Sequence, residues 1–269
     1  MPPTLPPLLR TVILTRYVTP LREGGSLPAV MEADDDGLYA VKFRGAGQGP
    51  KALIAELVAG EIGRALGLAV PEIVFAQLDA AFGRNEPDQE IQDLLRASVG
   101  LNLALDYLPG ALAYDPLAPP PVDARLASEI VWFDAYCTNV DRTARNTNLL
   151  LWHGRLWLID HGAALYFHHA WGDYLAQSRS PFAPVKEHVL LPFAGALAEA
   201  DAALRARLAP DVLERIVAAI PAAWLEQGTG SPFATADAHR AAYLAYLTSR
   251  LAAADRFVEE AQRARANLL

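Results

Sequence analysis

The chain has 269 residues, 52% of them hydrophobic, and a formal net charge of −8. A chain of this length can bury about three-quarters of its unfolded surface, so a large core in one or two domains is expected. The acidic balance weighs against direct nucleic-acid binding, which leaves a basic footprint. The single cysteine, Cys137, excludes an internal disulfide framework and a cysteine-based zinc site.

No stretch reaches the ~18 consecutive apolar residues of a membrane span. The opening "MPPTLPPLLR" lacks a basic head followed by a long apolar run. It reads as a proline-stiffened tail, not a secretory signal, and a cytoplasmic protein is expected. Residues 11–18, "TVILTRYV", are β-branched and aromatic and predict a strand. "PLREGGSLP" is a tight turn. "AVMEA" and "LYAVKFR" are short strands around the hairpin turn "DDDG", with Gly37 available for positive φ. From Lys51 to Leu66 apolar residues recur at three- and four-residue steps, which predicts a helix stopped by Gly67. "VPEIVFAQL" predicts a strand, residues 80–96 a polar excursion turning helical, and "GLNLALDYL" another strand. The proline-rich "PGALAYDPLAPPPVD" is a connection. "ARLASEIVWFDAYCTN" predicts a buried helix. An apolar hairpin follows, and from about Val185 the chain is helical, with one long helix near residues 235–265. Strands and helices are segregated, which argues for an α+β fold in two lobes, residues 1–108 and 109–269.

The hairpin "LLLW-HG-RLWLI" turns at His153-Gly154, which sets Trp152 opposite Arg155 and Leu149 opposite Leu158. Extending that register brings Thr147 opposite Asp160 and Asn146 opposite His161. Both faces are apolar, so a buried ribbon with acids at its open end is expected. Mg²⁺ prefers hard oxygen ligands and keeps waters and substrate phosphates, and Asp160 and Asn146 supply two such oxygens. Asp141, at the start of the same loop, can orient a hydroxyl and accept its proton. Taken one at a time, these residues are as well explained as turn formers. Their joint placement around one hairpin favours a site.

The N-terminal strands offer a second set. Gly24 and Gly25 let backbone N–H groups approach a phosphate, and Ser26 adds a hydroxyl. Lys42 lies between Val41 and Phe43, with an ammonium suited to α- and β-phosphates. A phosphate-binding lysine needs an acid to hold it, and the following helix has Glu56 and Glu61. Helical periodicity places Glu61 in the apolar stripe and Glu56 on the more polar side.

Asp141-x-x-x-x-Asn146 followed by Asp160-His161-Gly162 resembles the catalytic and metal loops of the protein-kinase-like superfamily. The Gly-Gly-Ser-x-Pro turn, "YAVKF" and "ELVAGEIGRALGLAVPE" bring the resemblance closer to the HipA-like kinases and their phosphatidylinositol-kinase-like relatives, over roughly residues 12–170. The resemblance implies ATP and Mg²⁺ as cofactors and a two-lobed protein-kinase-like fold, with a β-rich N-lobe carrying one helix and a mostly helical C-lobe. It implies Asp141 as catalytic base, Asn146 and Asp160 as metal ligands, and Lys42 on the α/β-phosphates. Gly24, Gly25 and Ser26 would cover the phosphates, and Leu105 to Leu108 would meet adenine through the backbone. Family spacing makes Glu56, not Glu61, the partner of Lys42. The sequence departs from many relatives at Thr143, where they have histidine, and its C-terminal region is short beside the larger toxin-type kinases.

The expected activity is phosphoryl transfer from ATP to a hydroxyl on a protein Ser/Thr or a small molecule. The alternatives are a nucleotide-binding pseudokinase acting as a scaffold or regulator, and a metal-dependent hydrolase using Asp141 and Asp160. Other residues carry blander readings. Asp34 to Asp36 form a solvated turn, and the histidines do not make a preorganised metal set. Trp132, Trp152 and Trp157 are core, and Arg142 and Arg145 either steady the catalytic loop, contact phosphate or are surface charge.

Overall fold

Strand β1, Thr11–Pro20, begins with alternating exposed and buried positions, and Val12 and Leu14 point inward. The computed structural model describes residues 9–21, 27–47, 49–82, 88–118, 122–226 and 232–268. Strands β2 (Ala29–Ala33), β3 (Leu38–Lys42), β4 (Ile73–Leu78) and β5 (Gly100–Asp106) join β1 in a closed barrel. Its strand order is β1-β2-β3-β5-β4, closed by the parallel pairing of β1 with β4. Closure removes free sheet edges. Val12, Met31, Val41, Val74 and Ala104 fill the interior. At the β2–β3 turn the positive φ of 60° falls on Asp36 and not on Gly37. Gly37 is needed for space, because a Cβ there would lie 2.7 Å from the Tyr39 ring.

Helix α1, Pro50–Ala65, starts with proline in its first turn, and Gly67 ends it at φ 80°. Every residue from Leu53 to Gly63 is buried, the two glutamates included. The helix lies against β4 closely enough that a Cβ on Gly60 would fall 2.4 Å from Ile73 Cδ1. Helix α2 (Gln89–Ala97) covers the barrel with Leu95, its start capped by the Asp88 carboxylate.

After β5 a two-residue strand β6, Leu112–Ala113, pairs with the hairpin strand β7, Leu149–Trp152, within the segment expected to be a plain connection. Helix α3, Ala124–Tyr136, is buried from Ala127 to Tyr136 except at Glu129. Strand β8, Arg155–Leu158, pairs with β7 in the expected register, Leu149 with Leu158 and Trp152 with Arg155. The ribbon is only half-buried, with Trp152 and Trp157 partly exposed. The ladder also stops at Leu149–Leu158, because Asn148 and Asp160 both take left-handed backbones, φ 48° and 53°. The extrapolated pairing of Thr147 with Asp160 and Asn146 with His161 therefore does not form.

The α-helices that follow are α4 (Tyr174–Gln177), α5 (Leu197–Arg205), α6 (Pro210–Ala218), α7 (Ala222–Glu226), α8 (Ala236–Ala252) and α9 (Ala254–Ala266). Irregular backbone with short 3-10 turns at Tyr166–His169, Ala183–Glu187 and Leu191–Phe193 occupies most of residues 159–196. The single long helix expected near residues 235–265 is two helices, broken at Ala253. The main core runs from α1 through α3 to these helices, so the barrel helix and the C-terminal helices share one apolar interior. Among the described residues no helix is long and apolar enough to cross a membrane.

Candidate active site

Lys42 ends β3, where pairing with Leu103 of β5 fixes its backbone. Its ammonium contacts a carboxylate oxygen of Glu56 and lies 2.5 Å from Asp160 Oδ1. Lys42 and Asp160 are 118 residues apart in sequence. Burial opposes the charge on Lys42, but the two carboxylates outweigh it and hold its pKa above the ordinary lysine value. Burial also opposes the charge on Glu56, which for a carboxyl raises the pKa. Lys42 and the His161 contacts outweigh it and hold the carboxyl at about 2. Glu56 also accepts the backbone N–H of His161 at 2.7 Å and faces its Nδ1 at 3.1 Å. His161 is fully buried and edge-on to Phe133, so it latches α1 to the loop that carries Asp160.

Periodicity favours Glu61 as the inward acid and family spacing favours Glu56; the structure pairs Lys42 with Glu56. The helical-face argument does not discriminate here because α1 is buried on all sides. Glu61 lies away from Lys42, at 3.2 Å from Arg64. Burial pushes its carboxyl up to about 7, with Arg64 opposing and Glu72 adding to the shift.

Asp141 and Asn146 form the second group. Asn146 Nδ2 donates to Asp141 Oδ2 at 2.8 Å, which leaves the amide oxygen of Asn146 without a partner among the described residues. The Asp141 backbone is held at both ends: its N–H donates to Asn139 Oδ1 at 3.2 Å, and its carbonyl accepts from Asn148 Nδ2 at 3.0 Å. Thr143, at the family's histidine position, accepts the N–H groups of Arg145 and Asn146 on its hydroxyl. Among the described residues no group of three or more His, Cys, Asp or Glu is placed to hold a metal.

Gly24, Gly25 and Ser26 lie outside the described residues. In the proposed adenine segment, the N–H of Asp106 donates to Glu72 O and that of Tyr107 to Leu38 O, so neither is available to a base. Sequence reasoning passed over Asp134, Asn139, Asn148 and His188, which lie buried behind Asp141. One signal for them is present: Asp134 is a lone acid in the apolar run "IVWFDAY". Arg142 is not surface charge, being 1% exposed, whereas Arg145 is exposed.

The fold is of the protein-kinase-like type. A proinflammatory kinase of Helicobacter pylori, CtkA, superposes with a TM-score of 0.56 at 14% identity, over 96% of this chain and 99% of that one. A Golgi casein kinase, solved with Mn and ADP bound, gives a TM-score of 0.49 at 11% identity, over 96% and 74%. No curated protein matches the sequence. The model of the HipA-like kinase family matches residues 14–250, and the chain belongs to that family.

Proposed function

We propose that the protein is an ATP- and Mg²⁺-dependent phosphotransferase that moves the γ-phosphoryl group to a hydroxyl on a protein Ser/Thr or a small molecule. Family membership supports the general class. The observation that carries the reading is the meeting of Lys42, Glu56 and Asp160, brought from a strand, a helix and a distant loop to one point. In this reading residues 1–108 and 109–269 are two lobes, and the site lies where they meet.

Lys42 binds the α/β-phosphates and Glu56 keeps its ammonium in place. Lys42 and Asp160 occupy each other in the structure, so binding a triphosphate requires that contact to open while Glu56 retains the lysine. The Asp160 side chain is 43% exposed, and the amide oxygen of Asn146 is unengaged among the described residues. Two protein oxygens suit Mg²⁺, which completes its shell with waters and phosphates. When bound, the metal neutralises charge on the phosphates. Asp141, oriented by Asn146, accepts the proton of the acceptor hydroxyl. The oxygen–Pγ bond forms as the bond from Pγ to the bridging oxygen breaks, and ADP leaves with that electron pair. Catalysis of this kind comes mostly from positioning and charge neutralisation.

Asp141→Ala and Asp160→Ala are each expected to lower phosphoryl transfer by about 10³-fold or more in protein that remains folded. Intact-mass analysis after incubation with ATP·Mg²⁺, with and without cell extract, reads the transfer. Turnover retained in either variant removes the mechanism. Nucleotide binding without turnover in the parent protein would favour the regulatory pseudokinase. Turnover that survives Lys42→Ala would favour a hydrolase.

A further inference from the structure

Asp134 lies in α3 with no solvent exposure, an acid among Ile130, Val131 and Phe133. Its carboxylate accepts from Arg142 Nε at 2.5 Å, Asn139 Nδ2 at 2.8 Å and His188 Nε2 at 2.9 Å. His188 Nδ1 accepts the N–H of Leu190 at 3.0 Å, so Nε2 is the ring nitrogen that donates to Asp134. Arg142 carries the connection outward. One of its terminal nitrogens, Nη1, donates to Asn148 O and lies 3.4 Å from Ile159 O. The N–H of Ile159 donates to the same Asn148 carbonyl at 3.1 Å.

These contacts converge on two residues of the candidate site. Asn139 and Asn148 grip the N–H and C=O of Asp141, and both are anchored on the Asp134–Arg142 pair. Ile159, tied to the same guanidinium, directly precedes Asp160. A guanidinium is a rigid fork that can hold a carboxylate on one side and carbonyls on the other, whereas an ammonium has one nitrogen. A buried ion pair is weak grounds for stability, since apolar replacement often costs nothing. The geometry points to Arg142, held by Asp134, as a positioning residue that sets the spacing between the loop of the base Asp141 and the loop of the metal ligand Asp160. The kinetic part rests on the proposed phosphotransferase reading; the mechanical part does not.

The test uses Arg142→Lys in the full chain, with Asp134→Asn as a second variant should the first fail to fold. Hydrogen exchange follows the Ile159 amide and the amides of residues 143–148. ADP release from ATP·Mg²⁺, with water as acceptor, gives kcat and KM. With secondary structure retained, exchange at Ile159 and at residues 143–148 is expected to speed up together, by about tenfold or more. Release of ADP is expected to lose about thirtyfold in kcat while KM for ATP·Mg²⁺ moves by less than about threefold. Faster exchange confined to residues 143–148 overturns the clamp, and so does an unchanged kcat. If the parent protein neither binds nor turns over ATP, the functional reading falls and the exchange data alone decide the clamp.

Discussion

Glu56 and Glu61 sit on one helix, both buried, and titrate in opposite directions because only one has a buried cation against it. Glu56 faces Lys42 and is held at about 2. Its stabilising effect is present above the unfolded value of 4.5 and is lost as pH falls towards 2. Glu61 is the reverse case. Burial raises its carboxyl from 4.5 to about 7, so the native state holds a proton that the unfolded chain releases. Stability tied to Glu61 is full below about 4.5 and declines as pH rises through about 7. Glu61→Gln is expected to raise stability at pH 8 by about 1–3 kcal/mol and to flatten the pH dependence between pH 5 and 8. Denaturant melts across that range measure it. An unchanged slope would show that Glu61 ionises normally in the fold.

Element by element, local patterns predict what local forces decide. The five barrel strands, α1 with its Gly67 stop, α3 and the turn at His153-Gly154 lie where periodicity and turn chemistry place them. The failures are tertiary. "RLAAADRF" has no helix breaker, yet the chain bends at Ala253. The bend lets α8 and α9 each bury an apolar face, Tyr243 and Leu247 on one, Phe257 and Ala261 on the other. Close packing of α1 on β4 depends on Gly60. A larger residue there must displace Ile73, which is 1% exposed and has little room to move. Gly60→Val is expected to cost about 1–3 kcal/mol, and Ile73→Val in the same chain to restore part of it. Chemical denaturation of the single and double variants checks both. Equal stability of parent and Gly60→Val would mean that the interface has slack.

At the scale of the whole molecule, the strand ammonium and the loop carboxylate neutralise each other. A nucleotide that binds only the folded state stabilises it by mass action, about 2.7 kcal/mol at a hundred times Kd. ATP with Mg²⁺ is therefore expected to raise the melting temperature, and chelation of the metal to remove most of the gain. Asp160→Ala should abolish the metal-dependent part while keeping a smaller shift from ATP alone. A metal-dependent shift of full size in that variant would place the cation elsewhere.

The sequence alone determined the segregated α+β order, the hairpin register, and the residue types that a phosphoryl-transfer site needs, because each depends on neighbours within a few positions. It also carried the family, through motifs whose spacing is local. Which glutamate meets Lys42 could not be read from periodicity, since a helix buried all round has no polar face; the family spacing alone pointed to Glu56, which the structure pairs with Lys42. The buried frame behind Asp141 was decided only in three dimensions. Its members come from α3, the loop of residues 139–148 and the segment near residue 188, and nothing local distinguishes an arginine that will be enclosed from one left in water. Long-range packing chose between them by surrounding Arg142 with oxygen acceptors and leaving Arg145 exposed.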